Sequence, residues 1–129
     1  RWFGFDDGIY AAARLLEILD QETDTPQEVF DTLPKGVSTP ELKVEMAEGE
    51  HYMFMKEFEN RVKFEDAKIT TIDGIRADFE DGWGLVRCSN TTPSLVIRFD
   101  ADNEAALNRI QEEFRAQLLK VSADLALPF

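Results

Sequence analysis

The sequence contains one cysteine, Cys88, and one histidine, His51. A lone cysteine excludes an internal disulfide, and it has no companions at metal-ligand spacing; the compartment this suits is a reducing cytoplasm. Basic residues are scarce as well. Fourteen lysines and arginines against 26 aspartates and glutamates leave a net charge of −12, a field that repels nucleic acid and anionic membrane surfaces and excludes both as partners. The same field repels phosphorylated metabolites, so any phosphate site has to be a local cluster of donors strong enough to override it. No apolar run approaches the length that crosses a bilayer. There is no internal repeat, no low-complexity segment and no calcium-loop spacing among the acids. The chain also opens without an initiator Met or a leader pattern, and Arg1-Trp2-Phe3-Gly4-Phe5 at its start reads as a piece of something longer.

What is present suits a packed fold: 43% of the residues are apolar and 31% charged, with ten Phe, two Trp and two Tyr to supply large rigid core side chains. At 129 residues there is room for one domain of ordinary size, or a small domain with a short piece of a neighbour. The second arrangement fits the pattern along the chain. After Asp6-Asp7, the residues Ile9, Ala12, Ala13, Leu16 and Leu19 recur every three or four positions, which predicts a helix to about Asp20 with acids at its positive end. Thr25-Pro26-Gln27-Glu28 predicts a capping box and a short second helix. The stretch 34–40 has a linker's proline, glycine and hydroxyl content, so a boundary is placed there, between a helical part at 1–35 and a domain at 36–129.

Past that boundary the period shifts to two. Leu42, Val44 and Met46 alternate with charged residues and predict a strand, and Phe54, Met55, Phe58 and Val62 predict a helix over 50–62. Strands are expected at 68–72 and 75–79 around a tight Asp73-Gly74 turn, at 83–86 after Asp81-Gly82, and at 95–100. A last helix follows Asp102-Asn103-Glu104 and buries Leu107, Ile110, Phe114, Leu118 and Val121. The expected fold class is α+β: a mostly antiparallel sheet of four to five strands with two helices on one face, preceded by two helices of another domain.

Residues 87–93, Arg-Cys-Ser-Asn-Thr-Thr-Pro, carry the strongest chemical signal. A permanent cation, several hydroxyls, an amide and turn N–H groups lie together between two strands, which is a donor set for a phosphate. The same composition also suits an ordinary turn. His51 reads as a surface or boundary residue of its helix, with no partner placed by any motif. Cys88 follows Arg87 and faces the other side of the strand, where a small buried hydrophobe is expected rather than a nucleophile. The acids at 6–7, 48–50, 78–81 and 100–104 read as caps, turns and solvated faces.

Three separated stretches, 1–10 (RWFGFDDGIY), 73–76 (DGIR) and 82–93 (GWGLVRCSNTTP), together resemble the α-D-phosphohexomutases, nearest to the bacterial phosphomannomutase/phosphoglucomutase branch. The ending Leu127-Pro128-Phe129 is similar too. The resemblance spans nearly the whole chain. It implies a four-domain enzyme that interconverts the 1-phosphate and 6-phosphate of glucose or mannose through a bisphosphorylated sugar, using a phosphoserine and Mg2+. Residues 1–35 then correspond to the end of the third domain and 36–129 to the fourth. The family's phosphate loop maps onto Arg87, Ser89, Asn90 and Thr91, with Cys88 standing where the family has Ala. The serine motif and the Asp-rich magnesium loop are absent from these residues, so the resemblance implies no cofactor bound by this piece and no catalysis by it alone. Its expected partners are the phosphosugar and the remaining domains of the parent chain. Two other readings stay open: a free-standing protein-interaction module, and the same domain from an amino-sugar phosphomutase.

Overall fold

The computed structural model describes residue 4 and residues 6–129, so most of the opening motif at 1–5 lies outside the described residues. The chain divides into two compact units, 1–35 and 36–129.

In the first unit, Asp7 caps α1 (Gly8–Gln21) by accepting a 2.9 Å hydrogen bond from the Tyr10 N–H. The predicted capping box starts α2 (Pro26–Asp31): the Glu28 N–H donates to Thr25 Oγ1, and the Thr25 N–H donates to Glu28 Oε2 at 2.8 Å. The Thr25 hydroxyl and then its backbone N–H hold the Glu28 carboxyl below its ordinary range. Both helices therefore form where local chemistry says they should. Neither buries a residue, and Ile9 and Leu16 of the expected apolar stripe are 86% and 67% exposed.

The second unit is a six-stranded, wholly antiparallel sheet in the order β1-β6-β5-β4-β3, with β2 also on β6. Its strands are β1 (Val37–Ser38), β2 (Leu42–Glu45), β3 (Lys68–Thr70), β4 (Ile75–Phe79), β5 (Gly82–Cys88) and β6 (Ser94–Ala101). The strand beyond the expected four to five is β1, which forms inside the stretch read as linker. Two residues carry no period to detect; what makes them a strand is the partner, Val37 opposite Ala101 and Ser38 opposite Asp100. Gly36 admits this approach, since a Cβ there would come 2.7 Å from the Ala101 carbonyl oxygen. Pro40, which has no N–H to donate, separates β1 from β2 along the same edge.

The two hairpins also differ from expectation. Phe79 pairs with Gly82, so the β4–β5 turn is Glu80-Asp81 and β5 runs on through Arg87 and Cys88. The β3–β4 connection is a four-residue loop, 71–74, rather than a two-residue turn, because β3 ends at Thr70. Gly74 has φ +77°, and any Cβ on it would collide with the Val86 carbonyl oxygen and lie 2.7 Å from Arg87 Cα. The positive φ of the connection and the contact with β5 both demand this glycine.

Both long helices of the unit cover one face of the sheet. Helix α3 (Glu50–Arg61) buries His51, Phe54, Met55 and Phe58. Helix α4 (Glu104–Leu119), capped by Asn103 Oδ1 accepting from the Ala106 N–H at 3.0 Å, buries Ala106, Leu107, Ile110, Phe114 and Leu118. Phe58, Phe99 and Phe114 are fully enclosed, each worth about 1.5–3 kcal/mol of transfer free energy. Gly84 in β5 leaves the space that the Phe114 ring occupies. His51 corrects the sequence reading: it is buried, 2% exposed, on the stripe with Phe54, Met55 and Phe58. Among the described residues no helix is long and apolar enough to cross a membrane.

Candidate functional site

The pleat of β5 sorts its side chains. Gly84, Val86 and Cys88 face the helices, where Cys88 Sγ lies 3.4 Å from the His51 carbonyl oxygen. Trp83, Leu85 and Arg87 take the opposite face, on which the Arg76 guanidinium sits 4.1 Å from the centroid of the Trp83 ring and bonds Asp78. Arg87 is thus held at the end of a central strand, with its side chain 30% exposed. Its Nη1 donates to the Cys88 carbonyl at 3.2 Å, using one of the five guanidinium N–H groups, and stands 3.8 Å from Asp73 Oδ2. Asp73 reaches that position because Gly74 packs against the Arg87 backbone. Its carboxylate is 68% exposed, and an ion pair of this kind in water contributes little.

Loop 89–93 follows at once. The Ser89 N–H donates to the Ser94 carbonyl at 2.9 Å, closing the loop's base, and Met46 N–H donates to the Pro93 carbonyl at 2.9 Å. Inside, Ser89 Oγ accepts from Thr92 Oγ1 at 2.9 Å and from the Thr92 and Thr91 N–H groups at 3.3 and 3.4 Å. Thr92 Oγ1 is also 2.9 Å from Ser94 Oγ. Ser89 and Ser94 are buried, whereas Asn90, Thr91 and Thr92 are exposed. Ser89 is therefore the hub that shapes the loop, and it keeps one O–H proton to donate. Sequence reasoning passed over Thr92 as a member of this hydroxyl chain.

Two hollows adjoin the loop. The larger, about 320 Å³, lies between α3 residues including Lys56 and Glu59, the 71–74 loop, Cys88 and Asn90. The smaller, about 100 Å³, is bounded by Glu48, His51, Tyr52 and residues 89–93. Ser89, Asn90 and Thr91 share the smaller hollow, while Arg87, on the other side of β5, lines neither. The spacing of residues 51, 54, 55 and 58 is helical, which puts His51 on the buried stripe in spite of its polar ring.

Cys88 is half-buried rather than buried. Burial pushes its thiol pKa up, Glu59 and Asp73 add to the effect, and Arg87 opposes it, so at neutral pH the sulfur is a thiol and a poor nucleophile. Among the described residues no three His, Cys, Asp or Glu side chains gather where they could hold a metal ion.

The sequence profile described as "Phosphoglucomutase/phosphomannomutase, C-terminal domain" matches residues 41–117, a span that includes β5, the loop and most of α4. The chain is 54% identical along its whole length to the phosphomannomutase/phosphoglucomutase of Pseudomonas syringae, of which it covers 28%. It is 55% identical over 118 residues to the phosphoglucomutase of Neisseria gonorrhoeae, covering 90% of this chain and 25% of that protein. A crystal structure of a phosphoglucomutase/phosphomannomutase family protein from Burkholderia thailandensis superposes with a TM-score of 0.83 at 44% identity, over 99% of this chain and 27% of the other. The chain thus spans little more than a quarter of its relatives' length. With a profile match over more than half of its residues and the matching fold, it belongs to the phosphoglucomutase/phosphomannomutase family, whose C-terminal domain it carries.

Proposed function

We propose that this chain is the phosphate-gripping end of a phosphomannomutase/phosphoglucomutase: residues 1–35 close the domain before the last, and residues 36–129 form the last. Its ligand is the phosphate of a glucose or mannose phosphate, at the end of the sugar that is not reacting. The observation that carries this is the Arg87 guanidinium held at the end of β5, immediately before a loop whose exposed tip is Asn90 and Thr91. In a chain of charge −12, an anion needs a fixed cation, and this strand end supplies one beside neutral donors.

Arg87 meets phosphate oxygens through guanidinium N–H groups beyond the one given to Cys88. The Asn90 amide, the Thr91 hydroxyl and the remaining Ser89 proton supply further donors. The Asp73 pair competes only weakly for the guanidinium, because Asp73 is largely hydrated. Holding the distal phosphate orients the sugar for transfer, and most of that binding is uniform, so it does not itself perform the chemistry. Phosphoserine and Mg2+ chemistry belongs to parts of the parent enzyme beyond this chain, and the chain alone turns over neither hexose phosphate.

Replacement tests the assignment in the full-length enzyme. Arg87→Ala should lower kcat/KM about ten- to a hundredfold with the fold intact, the loss expected for one charge-assisted hydrogen bond of about 1.5–3 kcal/mol. Ser89→Ala and Thr91→Ala should each cost about tenfold or less. Unchanged kinetics in Arg87→Ala would make the loop an ordinary turn.

A further inference from the structure

Strand pairing holds Arg87 on one flank only. It pairs with Val96 of β6, but on its other side β4 stops one residue short, its last pair being Ile75 with Val86. Gly74 precedes Ile75 and lies against Arg87 there. A Cβ built on it would collide with the Val86 carbonyl oxygen and come 2.7 Å from both Cα and Cβ of Arg87. The first two of these atoms are backbone, which cannot swing aside as the far end of a flexible side chain does.

Two demands meet at position 74 and can be told apart. The φ of +77° lies in the left-handed region, which glycine enters freely and asparagine enters far more readily than alanine. The collision with β5 concerns the Cβ itself, and every residue except glycine carries one. A side chain at 74 therefore pushes loop 71–74 and the end of β5 apart whatever its own fitness for the turn, and the root of Arg87 is what it pushes against. A small displacement there is magnified at the guanidinium, several bonds further out, and oriented binding tolerates little such error. The same loop brings Asp73 Oδ2 to 3.8 Å from Arg87 Nη1, but that carboxylate is largely hydrated and contributes little. Backbone contact, rather than charge, is what the loop gives Arg87.

We infer that Gly74 is a positioning residue for the phosphate grip: it lets loop 71–74 close the flank that β4 leaves open and so fixes the strand end from which Arg87 projects. Having no side chain, Gly74 acts through Arg87 alone. Its role rests on the reading of Arg87 as the phosphate ligand.

Two replacements in the full-length enzyme, assayed with glucose 1-phosphate, separate the contact from the turn. Gly74→Ala and Gly74→Asn both add the colliding Cβ, while alanine adds the greater strain in the left-handed turn. Both should lower kcat/KM about three- to thirtyfold, mainly by raising KM, because what is lost is uniform binding of the phosphate. On an Arg87→Ala background each should change kcat/KM by less than about twofold, since the side chain being positioned is gone. A normal Asn variant beside an impaired Ala variant would reduce Gly74 to a turn residue and overturn the positioning role. So would a fall in kcat at constant KM, or the same loss with and without Arg87, both marks of a fold weakened in general. A damaging Arg87→Ala beside harmless Gly74 variants sinks the positioning role alone, whereas a silent Arg87→Ala removes the phosphate reading and the role of Gly74 with it. A second measurement needs no variant to fold. When this 129-residue chain is titrated with inorganic phosphate, the Gly74 amide signal should move together with that of Arg87. A still Gly74 beside shifting residues 87–91 overturns the coupling, and no shift anywhere from 87 to 91 overturns the phosphate grip and the positioning role together.

Discussion

The two units of this chain are built from equally sound local signals and end in opposite states. Helix α1 has a side-chain cap and a regular apolar stripe, and α2 has a complete capping box; α3 has no side-chain cap at all, its N-cap being Gly49 at φ +79°. Yet every buried hydrophobic among the described residues lies at or beyond Val44, and α1 and α2 bury nothing. Caps and periodicity decide where a helix forms. Whether it is held depends on apolar area removed from water, because isolated helices of α1's length are marginal.

Hydrogen exchange should give this contrast its largest reading. Amides over residues 9–19 should exchange orders of magnitude faster than those over 95–99, which sit in β6 between strands on both sides. Equal protection would break the comparison and mean that α1 is held as firmly as the sheet. A smaller effect sharpens it. Phe114→Ala removes a fully buried ring that fills the space left by Gly84 and should cost about 3–5 kcal/mol, whereas Leu16→Ala, at a position 67% exposed, should cost well under about 1 kcal/mol. Comparable losses in denaturant unfolding would show that the first unit has a core of its own.

The smallest expected effect is electrostatic and confined to the first unit. Because Thr25 holds the Glu28 carboxyl below its ordinary pKa, the charged form is favoured in the capped helix. The capping box therefore supports α2 fully above the ordinary glutamate range, and the support is lost as pH falls through the depressed value. Amide shifts of residues 26–31 should follow that titration, and Thr25→Ala, which removes the hydroxyl but keeps the backbone N–H, should move Glu28 part of the way back towards its ordinary range. An unchanged Glu28 titration in that variant would place the stabilisation elsewhere.

Much of the second unit could be read directly. The strand at β2, the helices α3 and α4, and the acidic or amide cap at 102–104 follow from periods of two and 3.6 and from cap chemistry. The loop at 89–93 was legible because hydroxyl and amide residues cluster there between two apolar alternations. Strand ends were not. The strand before the loop was expected to end at Val86, but Arg87 pairs with Val96 and Cys88 with Leu95 on β6. Asp73-Gly74 supplies the positive φ expected between β3 and β4, but the contact of the Gly74 backbone with β5, which also requires glycine, had no signal along the chain.

By itself, then, the sequence determined the α+β class, the sites of the main helices, the unit boundary near residue 35 and the donor-rich loop, all of which rest on chemistry within about eight residues of each other. Tertiary structure alone decided the two-residue strand β1, the role of Ser89 as the loop's hub, and the approach of Asp73 to Arg87. The reason is range. A cap or a period is satisfied by near neighbours along the chain, but β1 needs Ala101, Gly74 needs Arg87 and Cys88 needs His51, partners that only the folded sheet brings within reach.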